Sequence, residues 1–200
     1  FNTTEAIGGL AGGGEMRIGL GLLQTGDANN ALDEFTGALV GSGTFEKRGS
    51  GLMRLTGNNA AFIGLTKVTA GTLEIAGDSD ALNDAARVEV AAGARLVIGG
   101  NGETLGLLDG AGDVVLNADA VIGGNGGNAV LGGAIRGSGR LEKTGAGSLR
   151  LDGTNSFAGG LRVTRGTVTL GSGDNLLDTA TLEVGSNGQL AVEGDGEVVG

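Results

Sequence analysis

The side chains that carry most enzymatic chemistry are scarce in this chain. Its 200 residues include no His and no Cys, so His-based triads, thiol nucleophiles, thiolate metal sites and disulfides cannot be built from it. Ser–Lys or paired-carboxylate chemistry remains. Its best-placed carriers are Glu46–Lys47 and Glu142–Lys143, which recur 143 − 47 = 96 residues apart. Neighbours on an extended chain point to opposite sides, so neither pair converges on one pocket. The reading that suits them is an exposed charge beside a glycine corner. A glycosidase-type carboxylate dyad formed across turns stays open at the level of sequence. A loose acidic run, Gly77-Asp78-Ser79-Asp80 with Asn83-Asp84, has oxygens for a hard cation. The calcium-roll pattern GGxGxDxUx is approximated only once, at residues 123–128. Residues 99–102 are glycine-rich but lack the Gly-Lys-Ser/Thr of a phosphate loop. No catalytic, cofactor-binding or metal-ligating residue is assigned.

The elements that would position these residues come in duplicate. GSGTFEKRGSGLMRLTGNN (41–59) returns as GSGRLEKTGAGSLRLDGTN (137–155). Downstream, KVTAGTLEI (67–75) is echoed by RVTRGTVTL (162–170) and ARVEV (86–90) by ATLEV (180–184). Upstream, EAIGGLAGGGEM (5–16) is loosely matched by ETLGLLDGAGDV (103–114), and EVVG (197–200) resembles the start of a third copy. Repeat units of about 5–102 and 103–196 follow, within one continuous unit over 1–200. Self-similarity at a long period marks stacked architectures.

Short alternating runs recur between Gly, Asn and Asp: Thr72–Ile75, Arg87–Val90, Arg95–Ile98, Asp113–Leu116, then 149–151, 161–163, 167–170, 182–184 and 190–192. Alternation puts one side inward and the other in water. Inward pairs are spaced by 96 − 73 = 23, 114 − 96 = 18 and 190 − 168 = 22 residues. Spacings of roughly twenty residues fit the turns of a three-sided coil, four to five per repeat unit and about nine in all. The fold predicted is all-β: a single-stranded parallel β-helix, right-handed as parallel crossovers are. The 45 glycines supply its corners, with Gly41, Gly43, Gly49 and Gly51 in one copy and Gly137, Gly139, Gly145 and Gly147 in the other. Asn59 and Asn155 follow matching corners, where a buried amide would bond the backbone of adjacent turns. Residues 78–86 and 174–180 read as Asp-capped loops.

Composition narrows function further. Proline is absent and five phenylalanines are the only aromatics, so Leu, Val, Ile and Ala must fill a thin core. The formal charge of −10 makes nucleic acid a poor partner. The scattered carboxylates read as a solvated, mutually repelling surface. No segment has the length of a membrane helix, and the start lacks signal-peptide features. Because it begins with Phe1, the chain reads as an internal fragment.

The repeat core resembles the autotransporter-associated β-strand repeat, also called the passenger-associated transport repeat: approximately G-x-G-x-L-x-K-x-G-x-G-x-L-x-L-x-G-x-N, an aromatic, G-G, then x-V-x-x-G-x-L. The second copy follows it through Lys143, Gly145, Gly147, Leu149, Leu151, Gly153, Asn155, Phe157, Gly159, Gly160, Val163 and Gly166. The first follows through Lys47, Gly49, Gly51, Leu55, Gly57, Asn59 and Gly71. It departs at Phe45 and Met53 for Leu, at Leu65 for the second glycine, and by one extra residue near Ala60–Ala61. The resemblance implies a passenger segment of a type V secreted protein from a Gram-negative bacterium, exported through a C-terminal β-barrel and folded outside as a β-helical stalk. It implies that the repeat assists secretion and folding, with the translocator barrel and flanking passenger segments as partners. It also implies a cell-surface or extracellular location. No train of amphipathic barrel strands is present in this sequence.

The leading expectation is a non-enzymatic stalk that displays a functional domain. The alternatives are an adhesin or self-association surface with a host or self partner, and the inert stalk of a surface serine protease.

Overall fold

A computed structural model of the chain describes residues 3–77, 81–100, 102–171, 176 and 179–193. Asp78–Asp80, Asp174 and the third-copy residues 197–200 therefore lie outside the described residues. The chain winds through three faces, and every strand pairing is parallel. The first face stacks Thr4–Ile7, Leu22–Thr25, Thr44–Lys47, Leu65–Val68, Arg87–Val90, Leu107–Gly110, Ala129–Leu131 and Ser148–Leu151, followed by 167–170 and 189–192. The second stacks Leu32–Phe35, Leu52–Leu55, Thr72–Ile75, Arg95–Ile98, Asp113–Leu116, Ile135–Gly137 and Ser156–Phe157. The third begins with Glu15–Ile18 and Ala38–Gly41. It resumes as Glu103–Leu105, Ala120–Ile122, Leu141–Lys143, 161–163 and 182–184. The result is a parallel β-solenoid of about nine turns, which at ~4.8 Å between strands is a rod about 43 Å long.

The spacings read from sequence are the observed registers. Leu73 pairs with Leu96, Leu96 with Val114, and Val168 with Leu190. Most strands stay near four residues because corners of one to a few residues interrupt them, whereas Leu161–Leu170 and Leu182–Val192 run on through a corner. Ala111 and Gly112 alone separate Leu107–Gly110 from Asp113–Leu116. At Gly145 the corner requires glycine twice over: φ is +68°, and a Cβ would lie 1.8 Å from the Gly123 carbonyl oxygen one turn back. Gly49 repeats both features, with φ +68° and 1.9 Å to the Gly26 oxygen.

The two repeats do not lie on the same face. Thr44–Lys47 belongs to the first face, whereas its counterpart Leu141–Lys143 belongs to the third. Likewise Leu52–Leu55 lies on the second face and Ser148–Leu151 on the first. The 96-residue period therefore spans four turns and two faces. The second copy is rotated by one face about the axis and displaced by ~22 Å along it.

The interior is a column of aliphatic rows with four phenylalanines, Phe35, Phe45, Phe62 and Phe157, buried among them. Thr66 breaks a row: it stands between Phe45 and Val88, fully buried, and its hydroxyl has no partner. The one-residue insertion of the first copy puts Thr66 where the second copy has buried Leu161. A buried hydroxyl without a partner costs more than the methyl that would replace it. Thr66→Val should raise stability by about 1 kcal/mol in urea unfolding. By contrast, Gly145→Ala should lower it by about 2 kcal/mol or more, because strain and overlap act together.

Candidate functional site

The densest convergence of polar groups lies inside the corners that follow the two repeat lysines. Strand alternation puts Phe45 and Lys47 on the inward side and Glu46 outward. Lys47 is 1% exposed and Lys143 is 1% exposed. This corrects the expectation of exposed charges. The residues do stand at glycine corners, but their amines are sealed within them. Lys47 Nζ donates to the carbonyl oxygens of Arg48 at 2.5 Å, Gly49 at 2.9 Å and Ala70 at 3.3 Å. Lys143 Nζ donates to Thr144, to Gly145 at 3.0 Å and to Arg165 at 3.4 Å. An ammonium has three donors and no acceptor, and each is used. Two acceptors come from the lysine's own corner and the third from the next turn. Gly71 and Gly166 complete the stack: a Cβ at either would lie 2.4 Å from the oxygen of Gly49 or Gly145 respectively.

The outward neighbours are tied in the same direction. Thr69 Oγ1 donates to Glu46 Oε1 at 2.9 Å, and Thr164 Oγ1 to Glu142 Oε1 at 2.7 Å. Gln24 adds a bond to Glu46 at 2.8 Å. These carboxylates are thus held as turn-to-turn links.

Asn59 and Asn155 are buried and hold the corner that follows. Asn59 Oδ1 accepts from the Leu39 amide at 2.7 Å, while Nδ2 donates to Gly57 O at 3.0 Å and Ala81 O at 2.6 Å. Asn155 Oδ1 accepts from the Ile135 amide at 2.8 Å, and its Nδ2 donates to Gly153 O at 2.8 Å. Leu55, Leu149, Leu151 and Phe157 point inward as core residues. Gly41, Gly43, Gly51, Gly57, Gly137, Gly139, Gly147, Gly153, Gly159 and Gly160 all crowd backbone of a neighbouring turn.

Sequence reasoning missed four buried polar groups besides the lysines, Thr66 among them. Glu103 Oε1 accepts from the Leu82 amide at 2.8 Å; its two-residue spacing from inward Leu105 was the available signal. Asp33 lies inward beneath Met53 and accepts from Asn30 at 2.8 Å. Thr25 is buried with an unpartnered hydroxyl. In residues 81–86 the turn is closed by Asn83, whose Oδ1 accepts from the Ala85 amide at 2.9 Å.

The outer surface departs from simple mutual repulsion, because opposite charges alternate up the rows. Arg54 sits between Glu34 at 4.0 Å and Glu74 at 2.8 Å, on three successive turns. Arg162 lies between Glu142 at 3.9 Å and Glu183 at 3.4 Å. Such exposed pairs are screened and contribute little individually. A shallow cleft of about 430 Å³ runs across Lys67, Glu89, Ala91, Asp109 and Ala111, and its Lys67–Glu89 pair closes at 3.4 Å. Among the described residues no three His, Cys, Asp or Glu side chains are grouped to hold a metal ion. Asn125 and Asn128 use their side-chain oxygens on the amides of Gly127 and Ser148.

Fold and corners together define a parallel β-solenoid built on a repeated lysine-capped corner. The passenger-associated transport repeat family matches residues 45–75 and 141–170, which contain both lysine corners. A curated relative, the adhesin BmaC autotransporter of Brucella suis biovar 1 (strain 1330), is 37% identical over 73 residues. That alignment takes in 36% of this chain and 2% of the relative, so the chain spans a small part of that protein's length. No solved structure gives a significant match. The chain carries two passenger-associated transport repeats, and these together with the stretch it shares with an autotransporter adhesin support an autotransporter passenger with repeats.

Burial holds both lysine ammonium groups below the ordinary value of 10.5, with Asp33 opposing the shift at Lys47. A folded value below the unfolded one means that stability is gained as pH rises through the folded value towards 10.5 and is lost on the way down. The urea midpoint of the native chain, measured relative to a Lys47→Met/Lys143→Met variant, should therefore rise as pH climbs towards 10.5. A flat or falling difference would contradict the assignment of desolvated amines.

Proposed function

We propose that this segment is a stalk: a stretch of rod that carries other parts of the passenger away from the outer membrane and whose stacking supports export and folding outside the cell. The observation that carries this reading is the use made of the buried polar side chains. Lys47, Lys143, Asn59, Asn155 and Glu103 are committed to backbone groups, most of them across a turn. They serve cohesion along the axis, and none is left aimed at a ligand. Each turn that closes adds backbone bonds to the one beside it, so folding outside opposes return through a translocator pore. The same commitment supports a non-catalytic role. Its partners on this reading are its own translocator barrel and the flanking passenger segments, at the cell surface or outside the cell.

An adhesin role is the second reading. It is favoured by the name of the relative and by Leu20 and Ile63, which stand 77% and 69% exposed at the same corner two turns apart. Small-angle scattering of the purified chain over a concentration series, combined with binding to host cells, separates the two. A stalk gives a concentration-independent rod and no binding, with Leu20→Ser/Ile63→Ser indistinguishable from the native chain. Binding or association that this double variant abolishes would replace the stalk reading with the adhesin.

A further inference from the structure

Most of what aligns one turn on the next has a period of two residues. Inward aliphatics alternate along each strand, as Leu149 and Leu151 over Val168 and Leu170. The corner glycines share that period: Gly41-Ser42-Gly43, Gly49-Ser50-Gly51, Gly137-Ser138-Gly139 and Gly145-Ala146-Gly147. A turn that slides by two residues still places aliphatic over aliphatic and brings one corner glycine to the other's position, although the position left behind then takes a residue with a Cβ. The aliphatic rows, by themselves, do not reject that slip, and the glycine pair opposes it only at the one position it vacates. Slips by one residue are rejected, because they turn the core side chains outward.

The lysines break the period. Only Lys47 and Lys143, among the residues of their strands, need a particular carbonyl on the neighbouring turn, Ala70 O or Arg165 O. A two-residue slip moves that oxygen by ~6.6 Å along the strand. It strands part of a buried ammonium's bonding capacity in a dry corner, which is a severe penalty. The corner has no slack for the amine to follow. A Cβ at Gly123 or at Gly166 would already lie 2.9 Å from Lys143 Nζ. The same set of bonds forms at both copies although they occupy different faces, so the effect belongs to the corner itself.

We infer that Lys47 and Lys143 are register locks: positioning residues whose buried amines select one stacking of successive turns from alternatives two residues apart. This selection is separate from what the rod is for, and it would hold for a stalk or for an adhesin.

The absence of cysteine makes the register directly readable. Arg150 and Thr169 are partners on neighbouring turns and face outward, as are Ser148 and Thr167. Cysteines at 150 and 169 would sit ~4.8 Å apart, within disulfide reach, whereas 150 with 167, or 148 with 169, would sit ~8 Å apart and outside it. Each pair is introduced into the native chain and into Lys143→Met, and crosslinking under mild oxidation is quantified alongside the far-ultraviolet β signal. The native background should crosslink 150/169 and almost none of the other two pairs. In Lys143→Met the β signal should persist while a slipped pair rises about fivefold or more. Unchanged slipped pairs would overturn the inference. So would loss of the β signal, because the amine would then be required by every stack and could not choose among them. Neither result bears on the scattering experiment, so a failed lock and a failed stalk are distinguishable.

Discussion

A parallel coil satisfies its strand backbone by stacking, but its corners are another matter. Where the chain bends, carbonyls swing inward and crowd the turn behind, and an amide ladder cannot reach them all. A buried carbonyl without a donor is as costly as any other orphaned polar group. In this rod the need is met at the repeat corners by a lysine ammonium, one group with three donors for three converging oxygens. Glycine is the other half of that solution. Only a residue without a side chain lets the backbone approach closely enough for one amine to span two turns.

Burial of a cation is unfavourable in itself, so the corner has to be complete to be worthwhile. That is why the bonding set is so similar at the two copies, down to the outward Glu–Thr link and the inward Asn one corner later. The copies nonetheless stand on different faces. A module that keeps its bonds while its direction changes acts on the chain that contains it, which suits a role in building the rod better than one in presenting a surface.

Between these corners the rod is generic. Its core rows are interchangeable aliphatics, and its outer rows alternate in sign, as Glu34–Arg54–Glu74. Thr66 shows how tolerant such a row is. The one-residue insertion in the first copy displaces the local pattern, and the stack absorbs a hydroxyl in place of a leucine without losing register with Phe45 or Val88.

Much of this was legible in the linear chain. Alternation in Thr72–Ile75 or Arg95–Ile98 set which residues face inward, and the spacing between such runs set the turn length, because strand parity and coil circumference are local properties. Parity also held the answer for the lysine: Lys47 lies two residues from Phe45 and must share its side. The charge argued for water, and only the folded corner supplies the acceptors that overrule it. Ala70 and Arg165 meet the amines across a turn, at a distance in sequence that no local pattern reveals. The one-face rotation between copies was likewise beyond reach. It depends on how many corners intervene, and corner lengths vary too freely for 96 residues to be converted into an angle. The sequence by itself determined the coil, its thickness and the two transport repeats it carries. Tertiary structure alone decided which charges are buried and which way each repeat faces, because both depend on what the next turn brings alongside.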